Sequence, residues 1–285
     1  MTRTARHPAR AVLVGPASGY GDRVLHTLSV GDDLDGVPTV VFLHGLFGQG
    51  RNFMTIAKWL QPELRSLLVD LPNHGRSGWT ERVDLAAMAD EVADAVRTEA
   101  GGPVHVVGHS LGGKVAMLLA LRHPDLVERL VVVDIAPVPS SDVSQFEQLL
   151  GALATLDLAT LTSRSDADER LQELIGDSTV RAFLLQNLHR TEQGWAWRAN
   201  LTLLRSSLEV IGSFPEPGGA VFDGPVLWVV GERSDYTREE DAEAMRALFP
   251  RLRRVSVKGA GHWVHSERPE AFTAAVQTFL TGPLH

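Results

Sequence analysis

The sequence places one serine where a nucleophile would stand. Ser110 lies at the centre of Gly-His-Ser-Leu-Gly, residues 108–112, which follows an apolar run and precedes a helical pattern. In a strand–turn–helix of this kind, the serine hydroxyl stands at the helix N-terminus, where backbone N–H groups favour developing negative charge. The flanking glycines have a mechanical purpose, because a Cβ at those positions would collide with neighbouring backbone. The pattern therefore predicts that Ser110 is an activated nucleophile.

A serine hydroxyl reacts only when a base accepts its proton. The chain has eleven histidines. His262 is the best placed of them, because it lies in a glycine-rich loop, residues 259–263, between the last predicted strand and the C-terminal helix. The carboxyl ends of parallel strands converge on the site in open α/β sheets. We therefore expect His262 to be the base.

Two aspartates compete for the role of orienting that histidine. Asp134 ends an apolar strand, and Asp235 lies in the loop after the run at 226–230, one residue beyond the usual position, which is Ser234. Both satisfy the chain order serine, acid, histidine. Asp134 is favoured because it needs no register shift, and Asp235 stays as the alternative. With Asp134 as the acid, Ser234 is placed to add a helper hydrogen bond to the pair.

Acyl transfer also needs donors for the negative charge that develops on the carbonyl oxygen. The backbone N–H of Leu111, directly after the nucleophile, is one predicted donor. The second is the N–H of Leu46, in the loop 44–48 that follows an early strand. The side chains expected to contact substrate lie beside these groups: Phe47, His109 and Trp263.

Alternating strand and helix patterns predict a mostly parallel central sheet with helices on both faces. The predicted strands are Val24–Val30, Thr39–Leu43, Ser66–Val69, Val104–Val107, Leu130–Val133, Val226–Val230 and Arg254–Val257. The predicted helices of this core are Asn52–Leu60, Leu85–Ala100, Gly113–Arg122, Arg238–Leu248 and Pro269–Leu280. Thr237 and Glu240 have the spacing of a capping box at the start of the fourth helix.

The alternation stops between Pro137 and Pro225. That stretch has helical patterns and no convincing strand, and it is bounded by segments rich in proline, serine and glycine. The helical patterns lie around Gln145–Leu156, Asp168–Ile175, Val180–Leu188 and Ala199–Val210. The sequence therefore predicts a core of residues 1–137 and 225–285, with a helical cap, residues 138–224, inserted into it.

Composition excludes several classes of protein. The chain has 285 residues, a formal charge of −8 and no cysteine. This charge disfavours nucleic acid and anionic membranes as partners, and the lack of cysteine excludes disulfides and thiolate chemistry. No metal-ligand or nucleotide-binding motif occurs, so neither a metal nor a cofactor is expected. The basic N-terminus has no apolar segment after it, so a cytoplasmic protein is expected.

With these motifs in place, the chain resembles the α/β-hydrolases, and more narrowly the YbfF-type esterases. The resemblance covers most of the chain from Thr39 onward and rests on residues 44–48, 70–77, 108–114, 133–137, 197–201 and 260–265. It implies that Ser110, His262 and Asp134 are catalytic. It also implies activity on carboxylic esters or thioesters with small to medium acyl groups. Arg233-Ser234-Asp235 departs from the group's pattern, which has Asn-Ser followed by a residue that is not acidic.

Other activities of this fold are weighed against the same residues. C–C bond hydrolases, lactonases and perhydrolases use the same triad and stay as alternatives. Dehalogenases and epoxide hydrolases have an aspartate at the elbow, whereas this chain has Ser110, and both tyrosines, Tyr20 and Tyr236, lie outside the predicted cap. The rival from another class is a non-catalytic ligand-binding protein on this fold. Such proteins generally lose a triad member, and this chain keeps all three.

Overall fold

The computed structural model describes residues 25–34, 36–139 and 143–283. Its centre is a seven-stranded sheet in the order β1-β3-β2-β4-β5-β8-β9. Only β1 is antiparallel to its neighbour, and every other pair is parallel, which confirms the mostly parallel sheet. The strands are β1 (Thr27–Val30), β2 (Thr39–Leu43), β3 (Arg65–Val69), β4 (Val104–His109), β5 (Val127–Val133), β8 (Val226–Gly231) and β9 (Leu252–Val257).

Helices cover both faces of this sheet. Adjacent residues of a strand have side chains on opposite faces. Val106 of β4 accordingly packs in one apolar cluster with α2 and α3, whereas Val107 packs in a second cluster with α1 and α11. The core helices are α1 (Met54–Trp59), α2 (Leu85–Glu99), α3 (Leu111–Arg122), α9 (Asp241–Leu248), α10 (Val264–Glu267) and α11 (Pro269–Thr281). Among the described residues, no helix is long and apolar enough to cross a bilayer.

The predicted start of α9 is wrong by three residues. The helix begins at Asp241 rather than Arg238, and the Asp241 carboxylate accepts a hydrogen bond from the Arg238 N–H at 2.7 Å. Thr237 does not cap this helix. Its hydroxyl instead donates to Asp134, 3.4 Å away at the end of β5. The sequence spacing of a capping box was satisfied, but a tertiary acceptor took the hydroxyl.

Residues 143–224, here called the inserted segment, lie between β5 and β8 and add no strand to the central sheet. Their helices are α4 (Ser144–Ala154), α5 (Arg164–Leu171), α6 (Ser178–Leu184), α7 (Leu201–Ser206) and α8 (Leu208–Gly212). The expectation that this region has no strand is wrong. β6 (Leu188–Thr191) and β7 (Gly194–Trp197) form an antiparallel hairpin.

The hairpin was missed because its strands have only four residues each. So short a run gives little periodicity, and the predicted helical pattern Val180–Leu188 overlaps the first strand only at Leu188. Gly194 has φ +127° and lets the chain turn back, and the Arg190 guanidinium lies 5.0 Å from the ring of Trp195 on the facing strand. Cross-strand contact therefore stabilises the hairpin.

Two buried histidines make the stability of the fold depend on pH. Burial lowers the pKa of His265 from 6.5 to about 3, with a further contribution from the charge of His262. Burial likewise lowers the pKa of His74 to about 3, and the charge of His44 acts in the same direction. Both rings are neutral in the fold, while the unfolded chain protonates them near the ordinary value. Below that value the unfolded state binds more protons, so stability falls as pH falls.

We predict that the free energy of unfolding decreases between about pH 7 and about pH 5 by roughly 2 kcal/mol for each of these two histidines. Urea denaturation at the two pH values measures the change. His265→Phe is the control variant, because the ring of His265 packs against Phe53 at 4.8 Å and Phe272 at 6.1 Å. This variant should lose about 2 kcal/mol of the pH dependence. An unchanged dependence in His265→Phe would contradict the assignment.

Candidate active site

The turn that carries Ser110 is strained. Ser110 has φ 53° and ψ −117° between the end of β4 and the start of α3. A Cβ on Gly108 would lie 2.2 Å from the carbonyl oxygen of Gly112, and a Cβ on Gly112 would lie 2.3 Å from that of Leu43. Only glycine fits at either position, as the sequence predicts. The close approach of β2, β4 and α3 thus holds the serine at the N-terminus of α3.

The structure brings Asp134, and not Asp235, to His262. The Nδ1–H of His262 donates to Oδ2 of Asp134 at 2.8 Å, which leaves Nε2 as a proton acceptor. Asp134 directly follows β5, is fully buried and has a left-handed backbone with φ 51°. Asp235 is exposed. The position favoured from the sequence is therefore the one that contacts the histidine.

The Asp134 carboxylate accepts further hydrogen bonds from the loop after β8. The Gly231 N–H donates to Oδ1 at 2.9 Å, and the Ser234 hydroxyl donates to Oδ2. Thr237 adds its longer contact to Oδ1. Ser234 thus lies where the sequence predicts a helper hydrogen bond to Asp134. The contact of Thr237 is not predicted, because its spacing indicates a helix cap. Buried carboxylates need such donors, because each unpaired oxygen would carry a desolvation penalty.

Sequence reasoning gave no role to Tyr236, which stacks on the His262 imidazole. The two ring centroids are 3.8 Å apart and the ring planes differ by 22°. The Tyr236 hydroxyl donates to Oε1 of Gln145 in α4, at 3.1 Å. This contact joins the histidine to the inserted segment. The only signal in the sequence is proximity, since Tyr236 follows Ser234 by two residues in the same loop.

His109 supports the histidine loop. Its Nε2 atom lies 2.9 Å from the carbonyl oxygen of His262, and its side chain is buried. Burial lowers the pKa of His109 well below its ordinary value, and the charges of His265 and His262 contribute, so the ring is a neutral donor. The sequence predicts a substrate contact for His109. In the structure its ring has a backbone partner, the His262 carbonyl.

The loop after β2 presents the Leu46 amide. His44 is buried and neutral, since burial lowers its pKa; its Nε2 accepts the Leu71 N–H at 3.0 Å, and Nδ1 donates to the Gly45 carbonyl at 2.8 Å. In a planar trans peptide the C=O and the next N–H point in opposite directions. Holding the Gly45 carbonyl therefore fixes where the Leu46 N–H points.

Asn187, a buried residue that the sequence does not single out, holds the same loop from the inserted segment. Its Nδ2 donates to the Phe47 carbonyl at 2.7 Å. Phe47 has φ 65°, an unfavourable value for a residue with a large side chain, so this hydrogen bond helps to maintain the turn. The signal for this contact is absent from local sequence, because the two residues are separated by 140 positions.

A narrow cavity of about 20 Å³ adjoins Ser110. Its walls come from the core and from the inserted segment: Leu46, Ser110, Leu111, Lys114, Ile135, Val143, Phe146, Leu208, Ile211, Gly212 and Tyr236. Both residues predicted as oxyanion donors thus border it, and within the described chain neither Leu46 nor Leu111 gives its backbone N–H to another residue. Phe47 and Trp263 lie outside this wall, against Phe146 and Phe183 respectively.

A serine on a glycine-flanked turn after a parallel strand, with a histidine–aspartate pair on the carboxyl ends of later strands, defines the α/β-hydrolase class. The chain belongs to the α/β hydrolase fold family, whose sequence model matches residues 38–269.

Curated relatives point the same way. The mouse sn-1-specific diacylglycerol lipase ABHD11 is 38% identical over 87% of this chain and 83% of its own length. Esterase YbfF of Escherichia coli is 30% identical over 85% of this chain and 92% of its own length. A solved marine microorganism esterase superposes with a TM-score of 0.86 at 30% identity, covering 90% of this chain and all of its own. The protein is therefore a hydrolase of the esterase and lipase type.

We predict that the ring of Tyr236, rather than its hydroxyl, supports turnover. An aromatic face over a desolvated cation contributes about 1–2 kcal/mol, and an imidazolium forms on His262 during acyl transfer. Tyr236→Leu should therefore lower kcat/KM for p-nitrophenyl acetate about 10-fold.

Tyr236→Phe is the matched control, because it keeps the stacked ring and removes the hydroxyl that donates to Gln145. It should retain activity within about threefold of the wild type. Equal losses of kcat/KM in the two variants, with unchanged thermal unfolding, would show that the stacked ring does not support turnover.

Proposed function

We propose that the protein hydrolyses carboxylic esters or thioesters with small to medium acyl groups through an acyl-enzyme on Ser110. The observation that carries this proposal is the 2.8 Å hydrogen bond between His262 Nδ1 and Asp134. It fixes the tautomer in which Nε2 accepts a proton, and such a base is what a serine nucleophile requires.

In the first step, His262 takes the Ser110 proton as Oγ attacks the carbonyl carbon of the ester. The N–H groups of Leu46 and Leu111 stabilise the resulting oxyanion. The tetrahedral intermediate then collapses, and His262 gives its proton to the leaving alcohol or thiol. In the second step, His262 deprotonates a water molecule, which attacks the acyl-enzyme and releases the acid and free Ser110.

We infer that residues 138–224 act as a cap over this site. Two contacts support the inference: Gln145 of α4 bonds Tyr236 beside His262, and Asn187 bonds the loop that carries Leu46. Residues of α8 also border the cavity at Ser110. A segment in these positions forms the wall against which an acyl group would pack.

The names of the relatives describe acyl transfer with different acyl acceptors. The mouse relative is a diacylglycerol lipase, and a yeast relative that is 30% identical is a probable alcohol acetyltransferase. One acyl-enzyme serves both activities, because the acyl group passes either to water or to an alcohol. C–C bond hydrolysis, lactone opening and perhydrolysis use the same residues. Turnover of p-nitrophenyl esters and acyl-CoA thioesters, compared with lactone and peracid assays, tests the ester assignment directly.

Ser110→Ala is expected to abolish ester hydrolysis and labelling by a fluorophosphonate, because both need the same hydroxyl. Thermal unfolding should stay close to that of the wild type, since the substitution removes one oxygen at a partly enclosed position. Labelling followed by mass spectrometry of the peptide tests the assignment. Retained labelling would refute it, and an unmodified, inactive wild type would favour a non-catalytic binding protein.

Asp134→Asn should lower kcat about 10⁴-fold, because an amide in place of the carboxylate favours the wrong imidazole tautomer. Asp235→Asn is the matched control. It makes the same chemical change at an exposed residue of the loop after β8, and it should leave kcat within about twofold of the wild type. Steady-state kinetics of the two variants on one ester compare the acids directly. A larger loss in Asp235→Asn would reverse the assignment.

A further inference from the structure

Lys114 is a buried lysine one helical turn after the nucleophile. Its backbone N–H donates to the Ser110 carbonyl at 3.0 Å within the first turn of α3, and its side chain is only 2% exposed. The mechanism above gives this side chain no task. Lysines are almost never buried without a partner that accepts their protons.

The partners of Lys114 are backbone carbonyls at the end of α8. Its Nζ donates to the oxygens of Ile211 at 3.0 Å, Gly212 at 2.6 Å and Ser213 at 2.8 Å. An ammonium group has three protons, so these bonds satisfy it completely. The last carbonyls of a helix have no partner within the helix, and the negative end of the helix dipole attracts a cation.

Backbone carbonyl dipoles balance this charge. No ion pair joins Lys114 to a carboxylate anywhere in the residues that the structure describes. Burial lowers its pKa to about 8. The three acceptors favour the charged form, so the ammonium persists at neutral pH. Lys114 therefore fastens α8 of the inserted segment to the helix that carries Ser110.

The same contact lies at the wall of the cavity beside Ser110. Lys114, Leu208, Ile211 and Gly212 all border the cavity of about 20 Å³ beside Ser110. A space of this size holds about one water molecule. Because α8 forms part of this wall, an acyl chain that extends along the wall meets α8, which Lys114 holds in place.

We propose that Lys114 is a specificity-determining residue, which limits the acyl group to short chains such as acetyl by holding the end of α8 against α3. This inference rests on the proposed esterase function and assigns the side of the site that selects the acyl group. A substrate with a long acyl chain on this side of the site would have to break the three carbonyl contacts of Lys114.

The test compares Lys114→Met with the wild type on p-nitrophenyl acetate and p-nitrophenyl octanoate. Methionine keeps the length of the side chain and removes the three donors. The wild type should prefer acetate, and the variant should shift the ratio of kcat/KM values toward octanoate by about 10-fold or more, with a lower KM for octanoate. Lys258→Met, at an exposed lysine, is the matched control and should leave the ratio unchanged.

Ile211→Ala provides a second variant. It enlarges the cavity on the α8 side and keeps the backbone carbonyl that accepts a hydrogen bond from Lys114. It should shift the ratio in the same direction, also if Lys114→Met fails to fold. A parallel loss on both esters in the two variants would overturn the inference, as would a wild type that prefers octanoate. In those cases fluorophosphonate still labels Ser110 of the wild type. Absence of both labelling and ester turnover in the wild type would instead overturn the proposed function, and the inference with it.

Discussion

The hydrogen bond between His262 and Asp134 is the interaction on which the site depends. It joins the loop after β9 to the end of β5, two segments separated by 128 positions in the chain. Neither side chain is held by its own loop alone. Gly231, Ser234 and Thr237 donate to the aspartate from a third segment, while Tyr236 and His109 hold the histidine loop from two sides. The carboxyl ends of three neighbouring strands thus converge on one imidazole.

Backbone strain is concentrated at the same edge of the sheet. Ser110, Asp134 and Phe47 all have positive φ, and each follows directly or closely on a central strand. Such conformations persist only when surrounding contacts impose them. At Ser110 the contact of Gly108 with Gly112 imposes it, and at Phe47 the hydrogen bond from Asn187 contributes. The strands of the sheet are rigid, and their contacts hold the loops that follow them in unfavourable backbone conformations.

Much of the sheet and the glycine-flanked turn at Ser110 could be predicted from sequence because their signals are local. Apolar runs identify buried strands, and the glycines around Ser110 report a steric limit within a few residues. The contacts of Thr237, Tyr236 and Lys114 could not be predicted, because each depends on a partner brought near by tertiary structure. Thr237 is instructive: its local spacing indicated a helix cap, yet Asp134 is the acceptor that its hydroxyl reaches. The β6–β7 hairpin could not be predicted for a different reason: its pairing is local, but each strand is too short to give a periodic pattern.

The burial of α3 has a consequence for how substrate enters. Every residue from Leu111 to Leu121 is buried, so this helix is enclosed on all sides rather than along one stripe. A fully packed helix has little freedom to shift, and the nucleophile at its end inherits that immobility. Any adjustment of the site to a reactant therefore falls on the surrounding segments rather than on α3. The packing of α3 thus fixes the position of Ser110, while residues of the inserted segment shape the space beside it.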